Sequence, residues 1–201
     1  RLKNAATVQD LNTLGDIYVN QKRLDLAADA YVAALEQAPD HSPARMVRNA
    51  KVLVQRGGTE SAELLIQRIR SSHAGTLTDE QIAELHRLEA RLALREGDDE
   101  THAELLEEIV KLNPLDGQAL IMLGQYYARN DQPEKAALYY ERAQSLEDFE
   151  AKAKIHHAQL LVRQSKFQEA IPLLESALQV EHRDDVADYL EQVKTVARSA
   201  N

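Results

Sequence analysis

The sequence predicts an all-α protein built from a tandem series of helix pairs. Three observations carry this. Gly (7) and Pro (5) are scarce among 201 residues and Cys is absent, so the chain has few helix breakers and no disulfide framework. Apolar residues make up 44% and charged residues 28%, the balance of a folded chain rather than a disordered one. An eight-residue pattern occurs twice, as Leu11-Asn-Thr-Leu14-Gly15-Asp-Ile-Tyr18 and as Leu120-Ile-Met-Leu123-Gly124-Gln-Tyr-Tyr127, each time followed by a polar turn and a second helical stretch.

In the second stretch Ala27, Tyr31, Ala34 and Pro39 follow the first copy, and Ala136, Tyr140 and Ala143 follow the second at the same offsets. This resembles the tetratricopeptide repeat, a helix–turn–helix unit of about 34 residues. Repeat 1 (about 8–41) matches at Leu11, Leu14, Gly15, Tyr18, Ala27, Tyr31, Ala34 and Pro39. Repeat 2 (about 43–76) keeps Ala50, Leu53, Ala62, Ile66 and Ile69. Repeat 3 (about 79–116) keeps Ala90, Leu106, Ile109 and Pro114. It puts His102 where a small residue belongs, unless its turn shifts to bring Ala103 there. Repeat 4 (about 117–150) lacks only the closing Pro, and repeat 5 (about 151–183) keeps Ala158, Leu161, Phe167, Ala170, Leu174 and Ala177. Gly or Ala at the eighth position and Ala at the twentieth allow the paired helices to approach closely. One repeat cannot bury its apolar face alone, so neighbours must stack.

Local signals agree with these units. Ser42 before Pro43 reads as an N-cap followed by Pro at the first helical position, and Thr78 with Gln81 reads as a capping box. Gly57-Gly58, Glu96-Gly97-Asp98 and Asn130-Asp131-Gln132-Pro133 read as turns within repeats. The segment 71–78 is the longest break and the expected irregular step. The last stretch, 184–199, is amphipathic, with Val186, Tyr189, Leu190, Val193, Val196 and Ala197 on one face, as a capping helix requires. The chain opens at Arg1, and Leu2 to Ala6 reads as the tail of a preceding helix, so a longer or processed protein is expected, with any signal segment upstream.

The residues assemble no catalytic or metal chemistry. No phosphate loop, HExxH or nucleophile elbow occurs, no Cys offers a thiolate, and no cofactor is implied. The seven His residues lack metal-ligand spacing, and adjacent His156 and His157 point about 100° apart on a helix; they read as exposed or interfacial. Tyr18, Tyr31, Tyr127 and Tyr140 read as core. Tyr126 and Tyr139 fit either a ligand contact or burial between helices. No apolar run reaches the roughly 18–20 residues that cross a bilayer. The net charge of −9 argues against nucleic acid as a partner.

The resemblance implies a right-handed α–α superhelix whose concave face is lined by the first helix of each repeat. On this sequence the implied partner-binding residues are Asn12, Asp16, Arg48, Lys51, Arg87, Arg91, Arg95, Met122, Gln125, Arg129, His156, Gln159 and Arg163. The full face holds eight basic residues, these six Arg with Lys51 and Lys152, against two acidic ones, Asp16 and Glu84. A basic groove in an acidic body draws in anionic segments. Val47, Leu88, Ile121, Met122 and Ile155 would add apolar contact. Family members that clamp the C-terminal carboxylate of chaperones carry Lys and Asn at particular groove positions; Asn12, Asp16 and Arg48 depart from that pattern. The expected function is a non-enzymatic scaffold that binds an acidic segment of another protein. The alternative is a structural spacer that self-associates through its N-terminal edge. The repeat endings Leu-Asn-Pro and Ala-Pro-Asp resemble bacterial members of the family.

Overall fold

The computed structural model describes residues 6–38 and 43–199. Pro39, His41, Ser42 and residues 2–5, to which the sequence assigns a repeat end, an N-cap and a preceding helix, lie outside the described residues. Among the described residues the chain is all-α. Its helices are α1 (Val8–Asn20), α2 (Leu24–Gln37), α3 (Pro43–Arg56), α4 (Thr59–Ser72), α5 (Asp79–Glu96), α6 (Asp99–Leu112), α7 (Gly117–Arg129), α8 (Pro133–Gln144), α9 (Glu150–Arg163), α10 (Phe167–Val180) and α11 (Asp184–Ser199). A 3-10 turn, Glu147–Phe149, precedes α9. No described helix is long and apolar enough to cross a membrane.

Contacts divide the chain into two units, Arg1–Leu105 and Leu106–Asn201. In the first unit α1 pairs with α2 and α3 with α4, while α2 also lies against α4 and α3 against α5. In the second, α7 pairs with α8 and α9 with α10; α8 lies against α9, and α11 against α10. The first core joins residues such as Tyr31, Leu35, Met46, Leu53, Leu65, Ile66 and Leu85. Ala158, Leu161, Leu174, Val186, Leu190 and Val193 form a core in the second unit.

Five turns share one design. Lys22, Gly57, Gly97, Asp131 and Ser165 each adopt positive φ, between 54° and 89°. The next N–H donates to the carbonyl five residues back: Arg23 to Tyr18, Gly58 to Leu53, Asp98 to Ala93, Gln132 to Tyr127 and Lys166 to Leu161, all at 2.9–3.0 Å. This closes one helix and releases the chain into the next. Glycine takes that conformation freely, whereas an L-residue meets a cost of about 1–2 kcal/mol.

The turns set the register of every pair. Five residues beyond each left-handed residue stands Ala27, Ala62, His102, Ala136 or Ala170. His102 therefore keeps the small-residue place, and the turn does not shift to Ala103. Its imidazole is buried, with Nδ1 2.7 Å from the Ala90 carbonyl. A carbonyl only accepts, so Nδ1 carries the proton and the buried ring is satisfied. His73 is buried as well. These two histidines are core residues, not the exposed or interfacial ones that composition suggests.

The irregular step falls between α4 and α5. The left-handed residues of these five turns are 35, 40, 34 and 34 positions apart, with one more, Gly75, in the α4–α5 break itself. The longer interval lies in α5, whose 18 residues compare with 13 or 14 in α1, α3, α7 and α9. Residues 71 and 72 belong to α4, so the break is shorter than the composition of 71–78 indicates. It ends at the Thr78–Gln81 capping box, with both reciprocal bonds present. Arg70 forks onto Glu89 at 2.7 and 2.8 Å, fastening α4 to α5 across the break. A further capping box, Thr7 with Asp10, opens α1; an Asp at its last place hides it from a search for Glu or Gln.

Two pairs are fixed by one contact. A Cβ added at Gly15 would stand 2.3 Å from the Tyr31 ring, and one added at Gly124 would stand 2.3 Å from the Tyr140 ring. The equivalent places in two of the other pairs hold Ala50 with Ile66 and Ala158 with Leu174, all buried. A larger residue on the first helix is thus matched by a smaller one on the second.

Two outcomes follow. Gly15→Ala alone lowers stability by about 1–3 kcal/mol through overpacking, and Tyr31→Ile in the same chain recovers part of that loss; a denaturation double-mutant cycle with purely additive effects would refute the coupling. Ser165→Gly raises the unfolding free energy while Gly97→Ala lowers it, each by about 1 kcal/mol, measured by urea denaturation.

Candidate functional site

In the first unit the expected groove residues separate into committed and uncommitted groups. Asn12 is buried, contrary to its assignment to an open face. Its Nδ2 donates to the Val8 carbonyl (2.8 Å), and its Oδ1 accepts from Asn49 Nδ2 (3.1 Å). It pins α1 to α3. Asp16 is exposed, accepts from the Tyr31 hydroxyl at 2.7 Å and lies 3.8 Å from Arg45. Lys51 pairs with Glu84 at 2.8 Å, and Arg87 reaches the other oxygen of Glu84 at 3.3 Å. Arg95 donates to the Val54 carbonyl (2.9 Å), closing the end of α3. Arg48 and Arg91 are exposed and make no ion pair among the described residues. Val47 and Leu88 are buried in the core, not offered to a partner.

In the second unit α7, α9 and α11 bring five of the expected residues around one concavity of about 610 Å³: Gln125, Arg129, His156, Gln159 and Arg163. Met122 is half-buried on α7 and outside this lining, and Ile121 is fully buried. His156 is held at both ring nitrogens. Its Nε2 lies 3.1 Å from Gln125 Nε2 and its Nδ1 3.2 Å from Gln159 Oε1. An amide nitrogen donates and an amide oxygen accepts, so the ring is neutral with its proton on Nδ1. Its face lies against Tyr140, with centroids 6.0 Å apart and planes 19° apart. Arg163 repeats the role of Arg95: Nη2 donates to the Ala128 carbonyl (3.2 Å) at the end of α7. Burial pushes the Tyr140 phenol up to about 12, against the pull of the Arg163 and Arg129 charges. Both guanidiniums therefore act on the same concavity, whose lining includes no carboxylate.

A second concavity of about 600 Å³ shares His156, Gln159 and Tyr189 with the first. Tyr189, on α11, lines both concavities and is absent from the residues the sequence singles out for a partner, because the sequence places it on the apolar face of a cap. A step of one 34-residue repeat from Ile155 arrives at Tyr189, and treating α11 as the first helix of another unit would have found it.

Tyr126 and Tyr139 resolve toward burial between helices. Tyr139 stacks on Tyr127 with centroids 5.5 Å apart and planes 1° apart, while Tyr126 meets Tyr127 edge-on at 5.2 Å. The Tyr127 and Tyr139 hydroxyls both point to Glu107, at 2.5 and 3.5 Å, and Lys135 covers the Tyr127 ring at 4.7 Å.

Burial lowers the pKa of both His156 and His157; Lys152 adds to this at His156, whereas the Gln159 bond opposes it there, and Glu141 and Glu169 oppose it at His157. The folded state thus prefers the neutral rings and the unfolded state takes up protons first. Stability from these groups is complete above the ordinary pKa of about 6.5 and is lost as pH falls through it toward the lower folded value. The unfolding midpoint is expected to drop between about pH 7.5 and 5.5, above the usual carboxylate range. The His156→Gln/His157→Gln variant should show a flatter profile; an unchanged slope would remove these rings as the cause.

Family models of the tetratricopeptide repeat match residues 88–151 and 11–41. No curated protein matches the sequence. Among solved structures, the MamA protein is 18% identical with a TM-score of 0.65, over 87% of this chain and 91% of that one. YrrB, described as a TPR protein with an unusual peptide-binding site, is 14% identical with a TM-score of 0.65, over 94% of each chain. A tetratricopeptide repeat protein from Parabacteroides merdae is 16% identical with a TM-score of 0.65, over 96% of this chain and 76% of that one. At these identities the likeness shows the fold, an all-α solenoid of helix hairpins. Residues 11–41 and 88–151 are thus tetratricopeptide repeats by sequence, within a chain that has the fold of tetratricopeptide-repeat proteins.

Proposed function

We propose that this chain is a protein-interaction scaffold that binds an extended segment of a partner on the faces of its first helices. The supporting observation is the concavity bounded by α7, α9 and α11. Two guanidinium groups, two amides, an imidazole and two phenol rings surround a space of about 610 Å³ without a carboxylate among them. Carboxylate side chains of the partner suit Arg129 and Arg163, Gln125 and Gln159 supply hydrogen bonds, and Tyr189 supplies an apolar wall. His156 packs and orients rather than acting as a base, because both nitrogens are already engaged. In the first unit Arg48 and Arg91 are the cations left for a partner, while Lys51, Arg87 and Arg95 serve the fold. The comparison with YrrB supports a peptide ligand for this architecture. A short segment on an open face binds in the micromolar range, as an order of magnitude, and more weakly at high salt.

A second reading rests on α1, which exposes Leu14 and Ile17. Exposed apolar side chains on one helix suit a further helix stacked there, so self-association is the competing function.

One pull-down from native extract separates the two. Wild type is compared with Arg48→Glu/Arg91→Glu/Arg129→Glu and with Leu14→Glu/Ile17→Glu, after circular dichroism shows equal helicity. The groove reading expects a partner retained by wild type, released by about 0.5 M salt, and lost from the triple Arg variant alone. Retention of the same partner by the Arg variant would remove the groove from the function. Recovery of further copies of the chain, lost on Leu14→Glu/Ile17→Glu, would put self-association first.

A further inference from the structure

The two concavities that meet at His156, Gln159 and Tyr189 differ in charge. The first is walled by Arg129 and Arg163, with no acid. The second contains Glu147, Asp148 and Glu181 against Lys152, while its Arg183 and Asp185 neutralise one another through bonds of 3.1 and 2.7 Å. Some of these acids have a local reason. Glu147 and Asp148 precede α9, where the positive end of a helix favours carboxylates.

Glu181 has no such reason. It caps the C-terminus of α10, which has no basic residue in its last turn, so its charge lies at the negative end of that helix. Arg183, which feels the Glu181 charge, forks onto Asp185 instead. Beside it Val180 is 48% exposed at the wall of the same concavity. A carboxylate placed against the local rule next to an exposed aliphatic side chain fits a long basic side chain. The stem of that side chain lies on Val180 and Ile155, and its head reaches the carboxylates.

Resting on the scaffold reading above, we propose that the segment bound here is dipolar, not uniformly acidic: an Asp or Glu for the α7–α9 concavity and an Arg or Lys for the α9–α11 one. Neighbouring helices lie about 8–10 Å apart, and an extended chain advances about 3.3–3.6 Å per residue. The two charges therefore stand about three residues apart in the partner. A segment of the same composition with its charges exchanged meets like charge in both concavities, so the polarity also fixes the direction in which the segment lies.

The test is selection of random linear nonapeptides displayed on phage against the purified chain, with circular dichroism of each variant. Wild type should enrich peptides with one acidic and one basic residue about three positions apart, in a single order along the peptide. Exchanging those two residues in a synthetic enriched peptide should weaken binding about tenfold or more in a fluorescence titration at low salt. Arg129→Glu should abolish the requirement for the acid and Glu147→Gln/Glu181→Gln the requirement for the base, each leaving the other intact. Enrichment of peptides acidic throughout overturns the dipolar inference and leaves the scaffold reading standing. No enrichment, or enrichment indifferent to both variants, overturns the concave face as the binding site and the inference with it.

Discussion

The separation of two paired helices is the constraint on which the rest of the structure depends. At Gly15 and Gly124 there is no room for a Cβ, because a tyrosine ring from the partner helix fills the space. The ring supplies the area that the glycine lacks. Where the first helix carries Ala50 or Ala158, the opposing place holds Ile66 or Leu174. The sum of the two side chains is limited more tightly than either identity, as close packing demands. A fixed separation allows the same five-residue turn geometry to recur at Lys22, Gly57, Gly97, Asp131 and Ser165. Three of those residues accept a strained left-handed conformation, so packing overrides the local preference there.

That repetition determines which residues reach a partner. A regular turn keeps one face of each first helix in the same register, so a residue type recurring at one repeat position meets the same surroundings each time. Arg95 and Arg163 illustrate this. Each donates to the last-turn carbonyl of the first helix one repeat earlier, Val54 in one unit and Ala128 in the other. A guanidinium at a helix C-terminus satisfies a carbonyl and opposes the helix dipole. These arginines fasten consecutive repeats within each unit, and Arg163 also brings its charge to the α7–α9 concavity as a consequence.

The fold was legible because its signals are local and repeated. Gly15 with Tyr31 and Gly124 with Tyr140 are visible as fixed offsets, and Thr78 with Gln81 caps its helix without tertiary help. The register at His102 was not legible: a histidine in a small-residue place suggests a shifted turn. Only the carbonyl of Ala90, brought close by the pairing, explains how the ring stays there. For the proposed site, the shared surroundings of Gln125, Arg129, His156, Gln159 and Arg163 are readable from their repeat positions, whereas the availability of each residue is not. Counting Arg and Lys gives charge but not commitment. Lys51 and Arg87 share Glu84, and Asn12 is spent on Asn49, through contacts between residues 33 or more positions apart or on the same helix. Tyr189 is not marked by the sequence because α11, an amphipathic helix after the last clear repeat, has the pattern of a cap as much as that of another first helix.

The arrangement also limits what electrostatics does in this protein. An ion pair at a solvated surface is worth about 0–1 kcal/mol, so the cations facing the α7–α9 concavity do not by themselves hold a partner. Area removed from water is the stronger source, and here it is modest: Tyr189 and the aliphatic stretch of Ile155 and Val180. Under the proposed scaffold function, binding strength would rest on these few apolar walls, and the charges would decide which segment is accepted and in which direction. The acidic character of the whole chain sharpens that choice. With a net charge of −9, the chain as a whole repels anions, and the α7–α9 concavity, with Arg129 and Arg163 and no carboxylate in its lining, is a local exception.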